Sequence, residues 1–351
     1  MVVKLKIGIP KAFLYYKYQI MWRSFFEELG FEVVVSPNTN KKILDMGINS
    51  SIDESCTSAK IYMGHVEWLI GKCDVIFVPR VVTFEDGDAT CTKFYGIYDI
   101  VRATFPDANF IGYSIDYDEK QTERKAFMKL GSNLINLYQN IGDSAPEPPQ
   151  GSNAPLTPIE KPRKARFFGK VLRGSGGTFS KVPSGRVIKK AYENAVAALE
   201  EFEKNLESRQ EAVLQSEGLK VLVVAHPYNI YDKLIGEPIV RTLEELGANV
   251  LYADVPDSTS MCGKSKALAR SMYWRYNKEL TGSVEYYKDK IDGIIFMTTF
   301  PCGPDSLAIE LIMRKIKDVP MTNLIIDSNF GEAGLNTRIE SFIDILEAKR
   351  A

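Results

Sequence analysis

Two stretches of this chain repeat one another: EELGFEVVVSP, ending at Pro37, and EELGANVLYADVP, ending at Pro256. Each reads as the end of an amphipathic helix, a glycine that stops it, and an apolar strand entered at once. CDVIFVPR, which ends at Arg80, and IDGIIFMTTFP, which ends at Pro301, correspond in the same way. Helices alternating with short apolar strands are the pattern of βαβ units, which constrain a chain to parallel sheets covered on both faces. Duplication of one fold is the economical explanation, although any helix followed by glycine and an apolar strand yields some likeness.

Four strand-like runs appear in each half: Leu5–Pro10, Glu32–Val35, Cys73–Val78 and Asn109–Ser114, then Lys220–Ala225, Asn249–Ala253, Gly293–Thr298 and Met321–Asp327. Helical segments lie between them, one reaching Leu29 and one around His65. The expected architecture is α/β, with two similar doubly wound parallel-sheet domains of Rossmann or flavodoxin-like type, over 1–141 and 217–351. Between them, 142–185 contains Pro146, Pro148, Pro149, Pro155, Pro158, Pro162 and Pro183 among many Gly and Ser, which rules out a regular element and predicts a long mobile insertion. Over 186–216 the pattern turns helical, with Tyr192, Ala195, Val196, Leu199, Phe202 and Leu206 on one face. This bridging helix is expected to lead into the second domain and pack against it.

At 351 residues the chain exceeds what one hydrophobic core usually serves, in keeping with two domains. Lys and Arg number 44 against 45 Asp and Glu, so no basic excess points to nucleic acid. No run of about 18 apolar residues or signal-peptide pattern occurs, so no membrane association is expected and a cytoplasmic location is. Five cysteines, an odd number without a CxxC pair, suit a reducing compartment better than a disulfide framework. Walker-type and GxGxxG loops are missing from the sequence, which speaks against nucleotide binding by the chain itself.

Ligands of doubly wound sheets bind beyond the carboxyl ends of the strands. Cys91 follows the third strand of the first half, and Cys302 follows the equivalent strand of the second. Cys56 lies just after Ser51 and Glu54, whose capping-box spacing predicts a helix start that places the thiol in the first turn, where the helix dipole favours a thiolate. If the domains face each other, Cys56, Cys91 and Cys302 converge in the cleft. The plainer readings are three small buried hydrophobes, or a thiol redox pair if two Cα atoms lie within about 7 Å. Cys73 begins an apolar strand and reads as core, while Cys262 in STSMCGKSK is a spare ligand or a loop thiol.

His65 stands nine residues after Cys56 on one helix, nearly on the opposite face, so the two cannot share a metal. His226, at a strand end before Pro227, is a ligand candidate or a turn residue. Asn329, Glu332 and Arg338 follow the last strand, but Thr337 and Glu340 have capping-box spacing, making Glu340 a cap. In the run Gly303, Pro304 and Asp305, the backbone N–H groups of Gly303 and Asp305 face a cluster or anion or the run simply opens a helix. Lys60, Arg80 and Lys93 lie near the cysteine motifs and suit phosphate or plain solvent.

Taken together, IGIPKAFLYYKY, DESCTSAKIYMGHV, CDVIFVPR, HPYNIYD, FPCGPDS and EAGLNTRIESFID resemble the acyl-CoA dehydratase activase-related proteins, kin of the 2-hydroxyacyl-CoA (2-hydroxyglutaryl-CoA) dehydratase subunits of anaerobes. The likeness spans nearly everything outside the Pro-rich insertion. It implies a [4Fe–4S] cluster with three cysteine ligands, which by motif are Cys56, Cys91 and Cys302. It also implies a separate ATP-hydrolysing iron–sulfur activator that delivers one electron at low potential, and an acyl-CoA thioester whose ketyl radical expels a hydroxyl group. A second dehydratase-like subunit or a homodimer would complete such an enzyme. The alternative is a non-catalytic binding or assembly protein using the same cleft.

Overall fold

The computed structural model describes residues 5–84, 87–143, 185–329 and 331–350. In order these form β1 (Lys6–Ile9), α1 (Tyr15–Glu28), β2 (Glu32–Val35), α2 (Lys41–Asn49), α3 (Thr57–Leu69), β3 (Val75–Phe77), β4 (Arg80–Thr83), α4 (Thr92–Thr104), β5 (Phe110–Ile111), β6 (Ser114–Asp116) and α5 (Glu123–Asp143). The long α6 (Gly185–Gln215) leads to β7 (Leu219–Val224), α7 (Pro227–Ile230), α8 (Glu237–Glu245), β8 (Ala248–Tyr252), α9 (Ser258–Lys264), α10 (Arg275–Tyr287), β9 (Gly293–Thr299), α11 (Gly303–Lys315), β10 (Met321–Ile326) and α12 (Glu332–Arg350). The Pro-rich insertion falls almost wholly on 144–184, outside the described residues.

The two main sheets have the orders β2-β1-β3-β5 and β8-β7-β9-β10, and every pairing in them is parallel. One topology is therefore used twice, as the repeated sequence predicts. The glycine in each EELG copy ends its helix in the left-handed region, with φ of 89° at Gly30 and 80° at Gly247, where a Cβ would be strained. Side chains alternate across the second sheet: Val221, Val223, Ile295 and Met297 join the core that continues into the first domain. Leu222, Val224, Ile294 and Phe296 pack with α10 and α11 on the other face.

The run Asn109–Ser114, expected as one strand, is broken. Pro79 lacks an amide hydrogen, and Gly112 passes so close to Val78 that a Cβ would sit 2.0 Å from the Val78 carbonyl oxygen. The β3–β5 pair therefore stops there and resumes beyond the break as the parallel pair β4–β6. This extension carries the chain toward Cys91.

The bridging helix does not pack chiefly on the second domain. Its first half buries Ile188, Ala191 and Ala195, with Ile188 over Gly131 of α5 and Tyr192 donating to Glu123 at 3.0 Å. Only its far end reaches the second domain, where Gln210 donates to the Tyr252 carbonyl and to the Tyr287 hydroxyl. An amphipathic pattern shows that a face is buried but not what covers it. Among the described residues, no helix is long and apolar enough to cross a membrane.

Candidate functional site

In each sheet the chain leaves its first strand toward one edge and its third toward the other, so a crevice opens at the carboxyl ends between β1 and β3 and between β7 and β9. The loop after β1 carries Phe13, held at φ 50°. Its ring meets Tyr228, from the turn after β7, at a centroid separation of 5.4 Å. The two crevices thus face each other, and His226, Tyr228 and the loop before Cys302 line the second.

Each of the three candidate cysteines is the N-cap residue of a helix: Cys56 of α3, Cys91 of α4 and Cys302 of α11. The helix expected to start at Ser51 begins instead at Thr57; the Ser51 hydroxyl is buried without a partner, and the capping box does not form. Hydrogen bonds tie the three helix starts together. The Thr57 amide donates to the Phe300 carbonyl at 3.0 Å, Ser58 meets Thr299 at 2.8 Å and donates to Asn229 at 2.7 Å, and Lys93 of α4 donates to Ser55 at 3.2 Å.

Burial decides the state of the thiols. It raises the pKa of Cys56, pushes that of Cys91 up to about 11 and drives that of Cys302 higher still, outweighing the backbone donors of the helix starts. The expected thiolate at Cys56 is therefore not favoured: the loss of hydration exceeds what a helix terminus returns. Cys56 is close enough to both other thiols for its charge to raise their pKa values further. All five cysteines are free of disulfides.

Beside Cys302 lies a fully paired buried carboxylate. Asp305 accepts from His226 Nε2 at 2.8 Å, Asn277 Nδ2 at 2.8 Å and Thr298 Oγ1 at 3.1 Å. Burial alone would raise its pKa, but His226, Asn277 and the Cys302 thiol together hold it down to about 2. A carboxylate only accepts, so Nε2 of His226 carries a hydrogen. The His226 ring stacks on Tyr228 at 5.0 Å, and Phe13, Tyr62, Phe94 and Tyr276 extend this aromatic wall.

Other candidates lie elsewhere. His65 is fully buried on α3 between Ser36 and Thr39. Cys73 contacts the Leu69 carbonyl and packs on the core, and Cys262 is buried within α9 instead of lying in a loop. α12 already runs from Glu332, so Glu340 is mid-helix and caps nothing. Arg338 donates to the Asn323 carbonyl of β10 and Asn329 closes a turn on Asp327, so neither reaches the thiols; the Glu332 side chain lies outside the described residues. Of the three basic candidates, Lys93 reaches the site, while Arg80 is engaged by Ser114 and Asp99. The sequence reading missed Tyr228, Asn229 and Asn277. HPYNIYD carried the signal for the first two, since they follow His226 on one turn; nothing local marks Asn277.

The family model described as the CoA enzyme activase uncharacterised domain (DUF2229) matches residues 6–148 and 152–255. The chain belongs to this family. Its matched part includes Cys56, Cys91 and His226, whereas Cys302 lies beyond it. No curated protein matches the chain. A solved structure of the SBP FpvC in complex with a Ni2+ ion, from P. aeruginosa, is similar at 13% identity, with 99% of this chain and 97% of that chain covered. Its TM-score of 0.24 is too low for the likeness to carry an argument.

Proposed function

We propose that this member of the CoA enzyme activase domain family is an iron–sulfur protein of the 2-hydroxyacyl-CoA dehydratase type, holding a [4Fe–4S] cluster through Cys56, Cys91 and Cys302 in the cleft between its domains. The observation that carries this reading is the convergence of three N-cap cysteines from both domains, joined through Thr57, Ser58, Lys93 and Phe300. The donor type fits: thiolates are the usual ligands of such clusters, and helix N-termini favour an anionic group. Among the described residues, no group of three or more His, Cys, Asp or Glu is placed to hold a single metal ion.

When bound, the cluster supplies one-electron chemistry at low potential. The chain's own residues hold and shield it. Lys93 places a positive charge that favours the Cys56 thiolate, and Asp305 fixes His226 against Tyr228. The aromatic wall keeps water out. Because burial holds the thiols neutral, loading the site must release protons. Ile52, Tyr95, Phe300 and Leu307, all exposed, flank the three cysteines in sequence and suit contact with a protein partner. An ATP-dependent iron–sulfur activator would be that partner, with an acyl-CoA as substrate and a second dehydratase-like subunit or a second copy of this chain completing the enzyme.

The test is iron and acid-labile sulfide content with the visible spectrum, on protein purified without oxygen, beside a Cys56→Ser, Cys91→Ser, Cys302→Ser variant. About four iron and four sulfide per chain, lost in the variant, are expected. A colourless wild type that also refuses reconstitution would overturn the reading and leave the cleft to a non-catalytic binding role.

A further inference from the structure

Ser58, Asn229 and Thr299 meet at one point between the domains, and all three are buried. Ser58 Oγ donates to Asn229 Oδ1 at 2.7 Å and lies 2.8 Å from Thr299 Oγ1. A hydroxyl has a single hydrogen, so Thr299 is the donor in the second bond, and the direction runs from Thr299 through Ser58 to Asn229. These bonds close a circuit around two of the cysteines. Ser58 stands in the first turn of α3, just after its N-cap Cys56. Asn229 belongs to α7, whose N-cap His226 donates to Asp305 in the first turn of the Cys302 helix. Thr299 ends β9 shortly before Cys302, and next to it the Phe300 carbonyl accepts from the Thr57 amide at 3.0 Å and from the Thr57 hydroxyl at 3.2 Å. Cys91 is held apart from this circuit. Besides the bond from Lys93 to Ser55, its loop is fixed by the Ala89 amide on the Tyr273 carbonyl at 3.3 Å and by the Arg275 amide on the Ala89 carbonyl at 2.9 Å.

Stability alone does not account for this junction. Asn229 is fully buried, and among the described residues its Nδ2 donor has no partner, so the amide uses only its oxygen. An unmade buried hydrogen bond costs more than a made one returns, and apolar groups of the same shape at the three positions would be as stable or more so. What the polar set adds is selection of one arrangement, because hydroxyl and amide must meet at hydrogen-bond distance and angle while apolar surfaces slide. Short side chains sharpen that selection. The Ser58 and Thr299 hydroxyls stand one carbon from their backbones, so their bond fixes the start of α3 against the end of β9.

We propose that Ser58, held by Thr299 and Asn229, is a positioning residue that fixes the start of the Cys56 helix against the start of the Cys302 helix, and so sets the ligand geometry of the group these cysteines hold. This rests on the cluster reading above. Ser58 acts through the two helix starts and touches no reacting atom. Removing its hydroxyl leaves the Thr299 and Asn229 polar groups without their bonds and frees the two helix starts to shift against each other.

The experiment compares the full-length wild type with Ser58→Ala, Thr299→Val and Thr299→Ser after identical anaerobic reconstitution, reading the rate of iron release to a chelator and the EPR spectrum of the reduced state. Lys17→Met, which breaks a different buried contact between the domains, is the control for general destabilisation. Ser58→Ala and Thr299→Val should release iron roughly tenfold faster than wild type, the lower end of what removing an outer partner of a metal ligand does, and show an altered spectrum. Thr299→Ser, which keeps the hydroxyl, should behave as wild type, and Lys17→Met should lower the urea midpoint while keeping the wild-type spectrum and release rate. A wild-type spectrum and release rate in Ser58→Ala, or the same changes in Lys17→Met, would overturn the proposal. Should Ser58→Ala not fold, Thr299→Val against Thr299→Ser decides, and identical spectra and release from that pair overturn it. A wild type that takes up no cluster fails at the earlier step and removes the reading on which this one rests.

Discussion

Replacing Gly64 by alanine tests the packing that holds Cys56 in place. Gly64 of α3 and Gly47 of α2 let two helix backbones touch: a Cβ at Gly64 would sit 1.9 Å from the Ile43 carbonyl oxygen, and one at Gly47 1.7 Å from that of Lys60. Contact distances begin near ~3 Å, so α3 must move away by roughly 1 Å along this face. Alanine in a helix interior gains about 1 kcal/mol over glycine. Overpacking costs about 1–3 kcal/mol and occasionally more, and a backbone obstacle cannot swing aside. With the clash at roughly 3–4 kcal/mol, Gly64→Ala should lose about 2–3 kcal/mol net, read from urea unfolding midpoints at constant slope. Gly96 of α4 is the control, since a Cβ there would meet only Ile100 Cδ1, at 3.7 Å. Gly96→Ala should gain about 0.5–1 kcal/mol. A Gly64→Ala protein as stable as Gly96→Ala would refute the backbone contact between α2 and α3.

Lys17 of α1 pairs with Glu279 of α10 at 2.7 Å, and Glu279 also binds Arg275 and Ser258. Lys17→Met should cost roughly 2–4 kcal/mol by leaving a buried carboxylate underpaired, and adding Glu279→Gln should recover part of it; a double-mutant cycle without coupling would show the pair to be inert. The burial of His65 lowers its pKa from 6.5 to about 3, with a nearby Lys11 adding to the effect. The folded state then binds fewer protons than the unfolded one between those values, so stability present above pH 6.5 is lost as pH falls toward 3. His65→Gln should flatten that slope, and an NMR titration should find the imidazole neutral at pH 5; protonation near 6.5 would contradict the burial.

Local pattern was enough to determine the α/β class, most strand positions and the duplication. Apolar runs such as VLVV and GIIFMTT can be covered on both faces only inside a parallel sheet, and the glycine after each EEL has to leave the helix whatever surrounds it. That Cys91 and Cys302 follow strand ends was legible, but that all three cysteines are N-cap residues was not, and at Cys56 the residues Ser51 and Glu54 have the spacing of a cap without its geometry. Which face of α6 meets which domain, and where the β3–β5 ribbon breaks at Pro79 and Gly112, required the assembled core, because both depend on what lies opposite in space. The aromatic wall around Tyr228 and the pairing of His226 with Asp305 and Asn277 join residues from separate elements that no sequence spacing relates. Tertiary structure also reversed the expected chemistry of the thiols, since burial, which a local stretch does not disclose, outweighs the helix dipole, which it does.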